Sequence, residues 1–235
     1  MNALARAAHI DHLVVAAASL DEGMAWCEAT LGVTPGPGGA HALFGTHNRL
    51  LRLNSTTHRR AYLEIIAIDP ATTPTRAAPL RRWFDLDDPA LRQRLQGEGP
   101  QLIHWVASVP DIEAAIAAWQ ALGLDRGPVI EASRPTPQGL LRWRISVRDD
   151  GQRLLGGALP TLIQWGETHP ADGMADTGLH LHALRLQHPE AERLQAALAA
   201  IGLHGVTVNT GPAGLQVDLR TARGTPVSLI HTHNA

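Results

Sequence analysis

Three stretches of this chain are written to one plan. Residues 12–33 read HLVVAAASLDEGMAWCEATLGV, residues 104–124 read HWVASVPDIEAAIAAWQALGL and residues 182–203 read HALRLQHPEAERLQAALAAIGL. Each opens on a histidine in a short apolar strand, passes a helix-start signal and runs as an amphipathic helix to a glycine: His12 to Gly32, His104 to Gly123, His182 to Gly202. Ser19, Asp111 and Pro189–Glu190 supply cap or first-turn chemistry, and the glycines supply a left-handed stop. Turn-rich segments alternating with strand-like runs follow each helix: AHALFG, RLLRL and AYLEIIAI, then PVIEA, LLRWRISV and LPTLIQW, then VTVN, LQVDLRT and PVSLI.

Each unit is therefore β-α-β-β-β, and the expected boundaries are 9–69, 101–170 and 178–231. Residues 70–100 form an insertion with Pro-rich edges and a helix-like centre, RRWFDLDDPALRQRLQ. Two such modules side by side build a curved sheet with helices outside and a concave inner face, an α+β architecture, with the third module added at the carboxy-terminal end.

Composition narrows the chemistry. All 20 basic residues are arginine, which excludes lysine Schiff bases, lysine general bases and a P-loop lysine. A formal net charge of −2 gives no electrostatic case for nucleic acid or an anionic membrane. The single Cys27 sits in a helical pattern and reads as a buried, inert thiol. The start, MNALARAAHI, has no long apolar run, no stretch reaches membrane-spanning length, and cytoplasm is the expected location.

The βαβββ modules and their first-strand histidines resemble the vicinal oxygen chelate superfamily, the glyoxalase and bleomycin-resistance fold. The blocks GTHNRLLRL, AYLEIIAIDP, GLLRWRISV and LPTLIQWGETHP are similar, more narrowly, to the glyoxalase-like domain family. In metal-bearing members of the superfamily the ligands come from the first and last strands of two paired modules. Carried onto this chain, the resemblance implies His12 and His104 from first strands, and Glu64 and Gln164 from last strands. It also implies Glu64 as the catalytic base, and a divalent metal (Zn, Fe, Ni, Co or Mn) or, in a metal-free member, none. Glu64 lies in a run too apolar to hold a bare carboxylate, so a cation or hydrogen-bond donors must meet it. Gln164 is a neutral ligand where glutamate is usual, and an amide cannot move protons near neutral pH. With Gln164 off the metal, the remaining three form a 2-His-1-carboxylate set.

Further residues are candidates for the substrate. Arg142 and Arg144 share one strand face opposite Trp143, and Arg134 sits in SRPTPQG; an arginine there suits a carboxylate or phosphate. His47 and Asn48 enter a strand in GTHN, and His169 in GETHPADG is placed over the mouth, while Trp165 reads as packing. In the third module Ser228 stands where Glu64 or Gln164 would, so that unit is expected to cover the sheet or supply a dimer surface. Two functions follow as expectations. One is a metal-dependent enzyme that stabilises an enolate or related oxyanion, or handles dioxygen, on a small oxygenated metabolite. The other is a metal-free protein that sequesters a small molecule in the same cup.

Overall fold

The computed structural model describes residues 8–136 and 139–232. Residues 1–7, Pro137 and Gln138 of the RPTPQG turn, and the last three residues of HTHNA lie outside the described residues.

The first module comprises β1 (His9–Ala16), α1 (Leu20–Leu31), β2 (Ala40–His41), β3 (Thr46–Arg52) and β4 (Tyr62–Ile68). After α2 (Pro89–Glu98) comes the second, with β5 (Gln101–Ser108), α3 (Ile112–Ala121), β6 (Val129–Thr136), β7 (Gly139–Ser146) and β8 (Thr161–Trp165). The third comprises β9 (His180–Gln187), α4 (Ala191–Ala200), β10 (Thr207–Asn209), β11 (Gly214–Arg220) and β12 (Pro226–Thr232). The sequence signals act as their chemistry dictates. Ser19 accepts from the Glu22 N–H and Asp111 from the Ala114 N–H, each closing a helix start. Gly32, Gly123 and Gly202 adopt φ of 69°, 70° and 67°, the left-handed turn that ends each helix without a Cβ clash.

Modules one and two share a single eight-stranded sheet in the order β2-β3-β4-β1-β5-β8-β7-β6. Within each, the first strand runs parallel to the last, and β1 and β5 join the halves antiparallel. The seam is symmetric: His12 pairs with Val106, and Val14 pairs with His104. One face of this sheet packs against α1, α3 and the third module in a large core containing Leu13, Leu63, Trp105 and Leu162. The opposite, concave face carries Val14, Ile66, Val106, Ile145 and Ile163.

Two expectations need correction. The insertion is helical only from Pro89, where Asp88 caps the start and proline occupies the first turn. Its earlier part instead turns sharply through Phe84 and Asp85, at φ of 59° and 60°, and pushes Trp83, Phe84 and Leu86 into the concave face. Left-handed backbone at two non-glycine residues is costly and persists because packing and a buried ion pair, Asp85–Arg153 at 2.8 Å, hold it. The insertion is thus a plug. The third module also departs from the repeat: its four-stranded sheet runs β10-β9-β11-β12, so β12 pairs with β11 and not with β9. Ser228 on β12 therefore does not stand beside His182 as Glu64 stands near His12.

Candidate functional site

The site begins with a defect in a strand. Along β1, Ile10 and Leu13 both belong to the helix-side core although alternation alone would part them. A β-bulge between Ile10 and His12 inserts Asp11 as an extra residue, and both Asp11 and His12 then turn to the concave side. There Asp11, 0% exposed, receives three N–H donors. His12 Nδ1 lies 2.6 Å from Oδ1, while Trp165 Nε1 and His169 Nε2 lie 2.8 and 3.1 Å from Oδ2. His169 Nδ1 accepts the Ala171 N–H, so its proton sits on Nε2 and points at Asp11. Burial alone would raise the Asp11 carboxyl; the hydrogen bonds and charges of His12 and His169 outweigh it and hold the group well below the ordinary carboxylate range.

With Nδ1 held by Asp11, His12 turns Nε2 toward Glu64, whose Oε2 is 3.6 Å away. The Asn48 amide is fixed by accepting the Gly39 N–H at 2.8 Å, and it donates to Glu64 Oε1 at 2.5 Å. His41 completes this layer: Nδ1 meets Thr46 Oγ1 at 3.1 Å and Nε2 faces the Asn48 amide at 3.4 Å. Burial, then the charges of Arg134, His12 and His47, lower His41 to about 3, so it is neutral at physiological pH. Tyr62 stacks on His12, and burial with the charges of Asp11 and Glu64 keeps its phenol protonated.

Above this polar floor is a narrow cavity of about 30 Å³, room for about two waters. Its walls are Trp83 and Phe84 from the plug, Trp143 and Trp165 from the second module, and Leu50, Leu141, Ile145 and Ile163. Arg134 and Pro170 stand where it opens into a larger groove along residues 167–177. Two N–H donors of the lining residues, Trp83 Nε1 and Arg134 Nη1, are buried and lack an acceptor among the described residues.

The residues proposed from sequence are divided by this geometry. His12, Glu64, Asn48 and Arg134 come together at the cavity, while His169 lines the neighbouring groove and meets Asp11. His47 alternates to the far side of β3 from Asn48 and does not line it. Arg142 and Arg144 lie on the face of β7 opposite Trp143; Arg144 pairs with Glu113 at 2.5 Å.

The implied ligand set does not close around a metal. His104 is spent: Nδ1 meets the Gly157 carbonyl at 3.1 Å, Nε2 meets Thr161 Oγ1 at 3.0 Å, and the Arg126 guanidinium stands 3.5 Å from Nε2. Burial and the charges of Arg126 and Arg153 lower His104 well below the ordinary histidine range. Gln164 is on the wrong face. Val14 pairs with Glu64, and its repeat partner Val106 pairs with Thr161, so Thr161 occupies the position of Glu64. Three residues further on, Gln164 faces α3 and accepts the Ile112 N–H at 3.0 Å. No cluster of three or more His, Cys, Asp or Glu side chains with metal-binding geometry occurs among the described residues.

Sequence reading missed Asp11, His41, Tyr62, Trp83 and Trp165. Only the Asp-His pair ahead of an apolar run hinted at the first, and a bulge has no signature in one sequence.

The family described as glyoxalase-like domain matches the chain over residues 10–202. No curated protein sequence matches it. Among solved structures, a hypothetical protein from Staphylococcus aureus is similar at 13% identity and a TM-score of 0.59, over 94% of this chain and 98% of that one. A Streptomyces coelicolor methylmalonyl-CoA epimerase variant in complex with 2-nitronate-propionyl-CoA aligns at 19% identity and a TM-score of 0.42, over 68% and 96% of the two chains. No helix among the described residues is long and apolar enough to cross a membrane.

Proposed function

The chain belongs to the glyoxalase-like domain family, and from that premise we propose that it is an enzyme that moves a proton at a carbon beside a carbonyl group, using side chains alone. The observation that carries this reading is the buried Asp11–His12–Glu64 chain at the closed end of an otherwise apolar cavity. Asp11 fixes the ring and tautomer of His12, leaving Nε2 as its working nitrogen. His12 Nε2 and Glu64 Oε2 stand 3.6 Å apart, too far to hydrogen-bond each other but both facing the cavity, where one accepts the substrate proton and the other returns it. A proton on His12 is then flanked by two carboxylates, Asp11 and Glu64. The aromatic and aliphatic walls exclude water and strengthen each of these interactions.

One observation favours the metal-free binding reading instead. Asn48 already donates to Glu64 Oε1, which ties down part of the carboxylate. The groove into which the cavity opens would then hold a ligand without turning it over.

The test is deuterium wash-in at the carbon next to the carbonyl of benzylpyruvate and benzylacetone, followed by NMR in deuterium oxide. Wash-in above the buffer rate, reduced about 100-fold or more in His12→Gln and Glu64→Gln, supports proton transfer. Saturable binding with no wash-in supports sequestration and overturns the enzymatic reading.

A further inference from the structure

We propose that the groove along residues 167–177 holds the body of a straight-chain 2-oxo acid, with the ligand's carboxylate received by Arg134 at the mouth of the cavity and its alkyl chain lying outward over Met174, Val33 and Pro37. This rests on the proton-transfer reading only for the carbonyl group beside the reacting carbon; the claims for the carboxylate and the chain stand without it.

Size divides the site in two. The cavity over His12 and Glu64 has room for about two waters, so it admits a carbonyl oxygen and a neighbouring C–H but nothing bulkier. The groove beyond it encloses about 850 Å³, within the range that holds a whole small molecule. Leu50, Arg134, Leu141 and Pro170 line both spaces and so ring the mouth between them. Outward from the mouth the wall stays apolar: Met174 packs against the cluster of Leu50, Tyr62 and Ala171, and Val33 and Pro37 continue it. Among the described residues no phenylalanine, tyrosine or tryptophan lines the groove. An alkyl chain therefore finds aliphatic partners where a ring would find nothing to stack on.

Charge decides the head group. Ile130 and Ala132, which precede Arg134 at alternate positions of β6, pack in the concave-face core, and strand alternation turns Arg134 the same way. Its side chain reaches Gly39, just before β2 at the opposite edge of the eight-stranded sheet; a Cβ on Gly39 would collide with Nη1. Arg134 thus spans the open side of the curled sheet, near enough to the floor that its charge follows burial in lowering His41. At the mouth it stands among Leu50, Leu141 and Pro170, and it makes no ion pair among the described residues, whereas Arg144 and Arg153 each hold a carboxylate. The acids of the groove lie away from the mouth. Asp172 pairs with Arg60 at 3.0 Å, Asp176 accepts the Asn54 amide and the Gly178 N–H, each at 2.8 Å, and Glu167 is exposed. Arg52, also on the groove, donates to the Ala171 carbonyl at 3.1 Å. A ligand anion is therefore drawn to Arg134, and its uncharged end runs outward along the apolar wall. With the carboxylate at the mouth, the adjoining carbonyl oxygen and C–H are the atoms set against the cavity.

The experiment is calorimetric titration of the full chain with 2-oxooctanoate, with 2-octanone, which keeps a chain and carbonyl but has no charge, and with pyruvate, which keeps the head group but has no chain. 2-Oxooctanoate is expected to bind at least about 10-fold more tightly than 2-octanone, the difference one charge-assisted contact makes. It should also bind at least about 10-fold more tightly than pyruvate, through burial of the chain. Arg134→Met should abolish the preference over 2-octanone and keep the preference over pyruvate. Gly39→Ala, which displaces the Arg134 guanidinium without removing its charge, should weaken 2-oxooctanoate and leave 2-octanone unchanged. Met174→Ser should reduce the preference over pyruvate about 5-fold and leave the preference over 2-octanone intact. Equal affinity for 2-oxooctanoate and 2-octanone, pyruvate binding as tightly as 2-oxooctanoate, or preferences unaltered in all three variants overturns the proposal. Absence of deuterium wash-in with this binding pattern intact overturns only the enzymatic reading, and wash-in without the charge and chain preferences overturns only the present proposal.

Discussion

Asp11 holds the site together through three donors that converge on one buried carboxylate: the imidazoles of His12 and His169 and the indole of Trp165. Removing it leaves all three without an acceptor in a dry environment. Asp11→Ala is therefore expected to lower stability by about 3–5 kcal/mol in urea unfolding, the cost of breaking a buried ionic cluster from one side. Asp11→Asn, which keeps the volume but presents an amide hydrogen to one of those donors, should cost less stability and still abolish deuterium wash-in. The neighbourhood shows why this residue was not legible in the sequence. Strand alternation places Asp11 and His12 on opposite faces, and only the bulge brings them to one. Glu64 and His12 were legible because an ionisable group inside an apolar strand demands a partner, whatever the register.

At the scale of elements, the register of β8 separates what was readable from what was not. The words YLE and LIQ align by eye and place Gln164 opposite Glu64, but the pairing of Val106 with Thr161 shifts that correspondence by three residues. An odd shift moves a side chain through the sheet, from the cavity to the helix face. Gln164→Ala should accordingly leave deuterium wash-in unchanged. Its effect should be a loss of about 1 kcal/mol in urea unfolding, typical of a lost cap contact at the start of a helix. The plug is the second such case. Its centre, RRWFDLDDPALRQRLQ, has a helix-like pattern; Asp88 and Pro89 mark where the helix starts, but no local signal shows that the residues before them fill the concave face. Phe84→Ala is expected to destabilise the protein by about 3–5 kcal/mol, since Phe84 is 3% exposed and packs in the core of the concave face. The same change should accelerate hydrogen exchange of β5 amides; an unaltered unfolding midpoint would contradict the role of the plug.

For the whole molecule, three-fold repetition fixed the element order, and the glycine-terminated helices and strand count followed from it. It did not fix connectivity in the third module, because pairing order depends on long-range packing that identical local signals leave undetermined. Acid sensitivity is a property at this scale. His41 and His58 are lowered to about 3 and about 4, in each case by burial first, then by neighbouring positive charges. In the unfolded chain both bind protons below about pH 6.5, whereas in the folded chain they do not until pH falls to those lower values. The unfolded state thus binds more protons in that interval, and stability rises with pH from about 4 to about 6.5. The urea midpoint should fall steadily as pH is lowered from 7 to 5, and a midpoint independent of pH there would contradict these buried neutral imidazoles.

The most direct measurement for the whole account is deuterium wash-in into benzylpyruvate by protein purified without a tag, before and after exhaustive chelation, alongside His12→Gln and Glu64→Gln. Proton transfer by this pair of side chains predicts wash-in that survives chelation and falls about 100-fold or more in each variant. Wash-in that disappears on chelation and returns with an added divalent metal, or that persists in both variants, would contradict it.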